Sequence, residues 1–448
     1  MKIDIPEYVE GLLNRLEKNN YEAFIVGGSV RDSLLGKNPS DYDITTDALP
    51  EEIEEVFKDY RTVEVGKKFG TIIVVQNEGN VEITTYRVEG EYKDGRRPSE
   101  LAFTSNIVAD LRRRDFTINA MAYSKRSGLV DEFNGRKDLK DKVIRTVGDA
   151  SRRFGEDYLR ILRCIRFSTE LEFNIEDETF QAAKVMSNFL EKISSERVRE
   201  ELFKILLSRK PSKGIKLLKD IGALEVIIPE ITYLEGLGIS GNSASGYKKN
   251  LEHNLCAIDR VPDTLETRLA ALLQNLYGAG TCKRASNNGE VRNSIARDVL
   301  ERLNTSNYMI DGVELLVKEK IYTGKEHSGK ELKKLINTVG KSRIFQLVEL
   351  EKANMECKGR VESVKSLNKI NQKIMSILNK GEPISKKQLD INGADIVRLG
   401  YVEGKIIGDI LDYLLERVLE KPELNKKEIL REIILSKFKQ DKMEDRNG

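Results

Sequence analysis

The chain has 448 residues, 39% of them hydrophobic and 33% charged. That length predicts two to four structural units, and that composition excludes a disordered or collagen-like chain. Lys and Arg number 75 against 73 Asp and Glu, so a uniformly basic coat is excluded and any nucleic-acid surface must be a local basic face. No run approaches eighteen apolar residues, and the charged N-terminus MKIDIPEYVEGLLNRLEKNN has no apolar signal core. Neither a membrane span nor a secretory signal is expected. Cys164, Cys256, Cys282 and Cys357 are scattered without a CxxC pair, and only two histidines are present. A zinc site is therefore disfavoured, and reduced thiols in a cytoplasmic protein are expected.

Residues 6–19 place Val9, Leu12, Leu13 and Leu16 at helical spacing. A short apolar strand over 21–26 runs into Gly27 and Gly28, and a helix follows over about 30–35. The segment Ser40-Asp41-Tyr42-Asp43-Ile44 reads as a strand with alternating faces. A helix over 50–58 carries Pro50 in its first turn, and alternating strands over 70–76 and 80–87 flank the turn Asn77-Glu78-Gly79. The first 145 residues are thus mixed α and β. From about Asp149 the period becomes helical, with helices expected over 156–169, 177–189, 195–208, 211–220, 266–277, 291–303, 310–319, 329–338, 342–356 and 405–419. Polar breaks fall at 236–247 and 284–290, residues 380–387 read as a linker, and KQDKMEDRNG reads as a frayed tail.

The chemistry concentrates in GGSVRDSLLG and the Asp41-Tyr42-Asp43 that comes after it. A Gly-Gly pair between strand and helix lets backbone N–H groups approach a triphosphate, although alone it is more often a plain turn. Two aspartates at i and i+2 of a strand share a face, where their repulsion is relieved by divalent cations. Downstream, Arg114 offers a planar fork to phosphate oxygens. Asp115 can accept from a ribose 2′-hydroxyl, and Asn119 can donate and accept beside it. Asp157 and Arg160 stand at i, i+3 on the helix expected from 156, with Arg163 and Arg166 extending the stripe. A surface Glu156–Arg160 ion pair is the plain alternative there.

Four ordered segments, GGSVRDSLLG with DYDIT, RRDFTINAMA, EDYLR and SERVREEL, resemble the class II tRNA nucleotidyltransferase and bacterial poly(A) polymerase family. The likeness is strongest over about 20–210. It implies an α+β fold: a polymerase β-like nucleotidyltransferase head with a five-stranded mixed sheet over 1–145, then an all-α neck (146–210), body (211–320) and tail (321–448). It implies template-independent addition of CCA to the tRNA 3′ end from CTP and ATP, with Mg²⁺ held by Asp41 and Asp43. Gly27, Gly28, Ser29, Arg31, Arg114, Asp115, Asn119, Asp157, Arg160, Arg163 and Arg166 are implied to bind the nucleotide. Asp157 and Arg160 would read the base edge and refuse guanine, Arg163 and Arg166 would reach the triphosphate or the strand, and Glu82 is a candidate third carboxylate. The expected partners are tRNA, CTP and ATP, with no membrane, and the protein would be a monomer or homodimer.

Poly(A) polymerase shares these four motifs, and A-adding or CC-adding relatives remain alternatives. Two stretches resemble the CCA branch: Gly70-Thr71 before a short apolar strand, and the glycine-framed segments Ile391-Asn392-Gly393-Ala394-Asp395 and Gly404–Gly408. The loop tip Asp94-Gly95-Arg96-Arg97-Pro98 matches a loop that in full CCA-adding members helps the pocket switch from CTP to ATP. Residues 247–311 resemble an HD-type phosphohydrolase segment that has lost its metal dyad, since Gln274-Asn275 replaces His-Asp and Glu290 and Arg292 flank the place of the downstream histidine. With His253 the only histidine in that frame, a structural spacer without hydrolytic activity is expected.

Overall fold

The computed structural model describes residues 3–90, 101–231, 244–276 and 295–438. They fall into two compact units, Met1–Thr232 with Arg302–Asn304, and Tyr233–Glu301 with Thr305–Gly448.

The first unit opens with α1 (Glu7–Lys18), which buries Val9, Leu12, Leu13 and Leu16 as its period requires. Next come β1 (Ala23–Val26), α2 (Gly28–Leu34), β2 (Asp43–Thr46), α3 (Pro50–Val56), β3 (Arg61–Gly66), β4 (Thr71–Val75) and β5 (Asn80–Thr85). A two-stranded ribbon of β6 (Arg87–Glu89) and β7 (Leu101–Phe103) leads to α4 (Ile107–Arg112), β8 (Ala122–Ser124), β9 (Gly128–Val130) and α5 (Gly135–Asp141). The main sheet is mixed, as expected, but has seven strands in the order β3-β4-β5-β2-β1-β8-β9 rather than five. Within it only β2 and β5 pair in parallel. β8 and β9 span three residues each, too short for any period to register. The NAMA stretch, which reads as a helix end in sequence, is instead a 3₁₀ turn over Thr117–Asn119 that runs into β8.

Six described helices complete this unit: α6 (Ala150–Glu156), α7 (Leu159–Leu171), α8 (Asp177–Met186), α9 (Ser195–Leu207), α10 (Pro211–Asp220) and α11 (Ala223–Ile227). The helix expected over 156–169 begins only at Leu159, and a separate helix not expected from sequence, α6, ends at Glu156. Asp157 is extended (φ −149°, ψ 105°), and its Oδ1 accepts from the Leu159 N–H at 3.1 Å, which opens α7 afresh. Asp157 and Arg160 therefore do not share a helix face.

Beyond Thr232 the described elements are all helical: α12 (Ala244–Ile258), α13 (Leu265–Leu273), α14 (Ile295–Arg302), α15 (Asn307–Lys318), α16 (Gly329–Val339), α17 (Arg343–Cys357), α18 (Val361–Asn379), α19 (Gly393–Arg398), α20 (Lys405–Glu420) and α21 (Lys427–Lys437). The sequence does not announce α18, because its Asn- and Ser-rich stretch has weak helix propensity. Tertiary burial of Leu367, Ile370, Ile374 and Ile377 decides it. The expectation of reduced thiols is also corrected, since Cys256 of α12 and Cys357 of α17 form a disulfide. They lie 101 residues apart, so only the packing of α12 on α17 reveals the pair. Cys164 is free and buried, and Cys282 lies outside the described residues.

Gly214 of α10 marks a tight joint among these helices. A Cβ there would lie 2.4 Å from Ile205 Cγ2 of α9 and 2.8 Å from Thr169 Oγ1 of α7. Gly214→Ala should therefore destabilise the protein by about 1–3 kcal/mol in urea unfolding, against the gain that Ala normally brings to a helix.

Candidate active site

β1 is buried along its whole length and delivers the chain to Gly27, which takes φ +76° to turn into α2. A Cβ on Gly27 would also stand 3.2 Å from Arg114 Nη1, so conformation and close approach both require glycine. The Ser29 side chain faces inward, its hydroxyl donating to the Val26 carbonyl at 3.2 Å; it fastens the turn and does not line the cleft.

β2 proper begins at Asp43, with Asp41 in the turn before it. The alternation persists: Tyr42 and Ile44 point inward, Asp41 and Asp43 outward. On the parallel neighbour β5, Glu82 is the register partner of Asp43. The Asp43 carboxyl is raised from 3.8 to about 6, first by loss of surrounding water deep in the site, then by Glu82, with Asp41 adding and Arg114 opposing. Asp43 keeps some exposed surface, so this loss of water is partial. No three His, Cys, Asp or Glu side chains converge on one metal position among the described residues. Asp41 and Asp43 thus offer two hard oxygen donors suited to Mg²⁺, which ordinarily completes its shell with water and substrate phosphate.

The second motif is bound into a chain of polar contacts. Arg163 of α7 donates to Asp115 Oδ2 at 2.6–2.8 Å. Asn119 Nδ2 and the Phe116 N–H donate to Asp115 Oδ1, and Asn119 Oδ1 accepts from Arg31. Burial alone would raise the Asp115 carboxyl, but Arg163 and Asn119 outweigh it and hold it at about 2. Arg31 in turn forms a two-pronged pair with Asp32.

Across the cleft, Arg197 of α9 grips Asp157 with two bonds of 2.7 and 3.2 Å. Arg160 donates to Glu156 at 2.5 Å, so the plain ion pair is present, and also to the backbone carbonyls of Arg153 and Arg113. Arg166 is anchored to Glu201 and Glu170, and its guanidinium lies 4.1 Å from the Phe167 ring centre. Every site residue expected from sequence except Ser29 and the candidate Glu82 lines one cleft of about 610 Å³. Sequence reasoning misses Arg113, Phe167 and Arg197, which also line it, and the buried Asp110 beneath it. Only Asp110 has a visible signal: it stands at i, i+3 and i, i+4 to Arg113 and Arg114.

In the second unit the degenerate dyad is occupied by amides. Asn354 accepts from Gln274 at 3.0 Å and donates back at 2.8 Å, while its Oδ1 lies 3.0 Å from His253 Nε2. Asn275 donates to Asn254. Burial pushes the His253 imidazole below its ordinary value. His327 is buried against the Tyr322 carbonyl. The N-terminus of α19 is closed by its own capping box between Asn392 and Asp395, the plain reading of that glycine-framed turn. The loop tip Asp94–Pro98 and the pair Glu290 and Arg292 lie outside the described residues.

The raised Asp43 carboxyl sets a sign for stability. Between 3.8 and about 6 the folded protein binds more protons than the unfolded chain, so in chelator stability should fall as pH rises through that window. Asp43→Asn should then raise the thermal midpoint of the metal-free protein at pH 7.5, with the difference vanishing near pH 4. Scanning calorimetry at both pH values checks this.

The Poly A polymerase head domain model matches residues 23–145, the RNA and SrmB-binding site of polymerase A residues 172–234, and tRNA nucleotidyltransferase domain 2 residues 289–434. A CCA-adding enzyme of Ligilactobacillus salivarius is 33% identical over 429 residues, covering 94% of this chain and 93% of that protein. One from Staphylococcus aureus is 44% identical over 217 residues, 48% of this chain and 54% of that protein. Among solved structures, the Bacillus stearothermophilus CCA-adding enzyme in complex with CTP superposes with a TM-score of 0.72 at 26% identity, covering 96% of this chain and 98% of that one. The Thermotoga maritima CCA-adding enzyme complexed with tRNA gives 0.60 at 25% identity, covering 97% of each. Identity sustained along almost the whole of both chains places this protein in the CCA-adding enzyme family.

Proposed function

We propose that this protein builds or repairs the 3′-terminal CCA of tRNA, without a nucleic-acid template, from CTP and ATP. The observation that carries the reading is the single cleft in which Asp41 and Asp43 face Arg114 on one side and Asp157 with Arg160 on the other. The reaction forms a bond from the primer 3′-oxygen to the α-phosphorus and breaks the bond to the β-phosphate, releasing pyrophosphate and a proton. Asp41 and Asp43 would hold Mg²⁺, which when bound would supply Lewis acidity to the reacting phosphate. Gly27 and Gly28 offer backbone close to the triphosphate, and Arg114 and Arg163 balance its charge. Asp115 and Asn119 stand where a ribose hydroxyl would be met.

Base choice rests on Asp157 and Arg160. A carboxylate accepts from the exocyclic amine that cytosine and adenine share, and a guanidinium donates to a ring nitrogen or carbonyl. The pair works as a fixed edge because Arg197, Glu156 and two backbone carbonyls hold it. In this reading residues 1–145 are the catalytic head, 146–210 the base-selecting neck, 211–320 a body and 321–448 a tail that grips tRNA. The amide-filled dyad in the body supplies no anionic ligand set, so that segment acts as a spacer without phosphohydrolase activity. No helix among the described residues is long and apolar enough to cross a membrane. We assign the protein to the cytoplasm, where the Cys256–Cys357 bond is open to reduction.

Incubation with tRNA lacking its last three nucleotides should give a C-C-A end on sequencing. A run of A, a lone A or C-C alone would select poly(A), A-adding or CC-adding activity instead. Asp43→Ala should abolish incorporation while tRNA affinity stays within about twofold, less than the loss of a single ionic contact costs. Arg160→Ala should admit other nucleotides; a slower variant that keeps strict CTP and ATP choice would rule out the base-reading role.

A further inference from the structure

Beneath the cleft lies a carboxylate that the nucleotide-binding reading does not use. Asp110 of α4 is fully buried, and its oxygens collect donors from three parts of the head. Oδ1 accepts from Arg113 at 2.8–2.9 Å and from the Arg87 backbone N–H at 3.3 Å. Oδ2 faces the Thr45 hydroxyl at 3.4 Å, two residues along β2 from Asp43, and Arg114 Nη2 at 3.5 Å.

The two arginines are held unequally. Arg113 also has Glu89 at 3.4 Å, so its charge is largely offset. Among the described residues Arg114 has Asp110 as its one ion-pair partner, at the longer distance, and its buried Nε has no hydrogen-bond partner. Its Nη1 is packed against the Gly27 backbone, in the turn that opens toward the triphosphate position. Asp43, which lines the same cleft, also attracts Arg114. A buried guanidinium with one weak anchor and spare donors keeps its charge and direction for a ligand. Without that anchor it would be drawn toward Asp43.

We propose that Asp110 is a positioning residue that aims Arg114 at the triphosphate of the incoming nucleotide and holds it off Asp43. This rests on the reading of the cleft as a nucleoside triphosphate site. The ligand portion concerned is the polyphosphate, so loss of Asp110 should weaken binding in proportion to phosphate and leave base choice alone.

The test is calorimetric titration of CTP and of CMP into the full chain with Mg²⁺ and without tRNA, so that no turnover occurs. Asp110→Asn should weaken CTP about tenfold, the scale of one charged hydrogen bond, and CMP less than about twofold. Arg114→Ala should weaken CTP similarly, and the double variant should bind CTP no worse than Arg114→Ala alone. If Asp110→Asn loses its thermal transition, Asp110→Glu keeps the charge but moves the carboxylate, and the same CTP-selective loss is expected. Equal losses for CTP and CMP, additive effects of the two substitutions, or unchanged CTP affinity in a folded Asp110 variant would overturn the proposal. Failure of the unaltered protein to bind CTP would instead refute the nucleotide site itself.

Discussion

The first unit depends on one ion pair, buried Asp115 with half-buried Arg163, because it joins the sheet-bearing half to helix α7. Taking Asp115 out of water is costly, and the attraction of Arg163 largely offsets that cost. The value of the pair lies in geometry. Asp115 ends the Arg112–Asp115 stretch, whose carbonyls at Arg112 and Arg113 take the guanidiniums of Arg153 and Arg160. Arg114 of that stretch lines the cleft beside Gly27, while the Arg113 carbonyl holds Arg160, one of the two residues proposed to read the base. A single four-residue segment thus sets the distance between two recognition tasks, and the Asp115–Arg163 pair clamps its end.

The same stretch explains why an aspartate pair can sit unpaired beside so much positive charge. Seven arginines and five aspartates line the cleft. Several of the arginines are already committed: Arg31 to Asp32, Arg166 to Glu201, Arg197 to Asp157. What remains for a triphosphate is a directed surplus, while Asp41 and Asp43 keep their outward faces. Loss of water lifts Asp43 first and the nearby carboxylates Glu82 and Asp41 add to it, and that added repulsion is the counterpart of an affinity for cations.

Legibility in the sequence tracks length and locality. The period-2 alternation around Tyr42 locates Asp41 and Asp43 correctly even though the strand starts later than expected. The 3.6-residue period finds α1, α9 and α10, each with a strong apolar face. The same period misleads at Asp157, where a side chain that bonds the backbone two residues on starts the helix only at Leu159. β8 and β9 are too short, and α18 too polar, for a window to detect, and tertiary packing settles both. Partners distant in sequence, such as Arg197 with Asp157 and Cys256 with Cys357, leave no local trace.

In the second unit, hydrogen-bonded amides form part of the buried core. Gln274, Asn354, Asn254 and Asn275 satisfy one another inside a packed helical frame. A metal site ties a fold to the supply of an ion and to the proton equilibria of its ligands. Amide–amide bonds carry neither dependence, so among the described residues this cluster holds its shape whatever the supply of a trace metal.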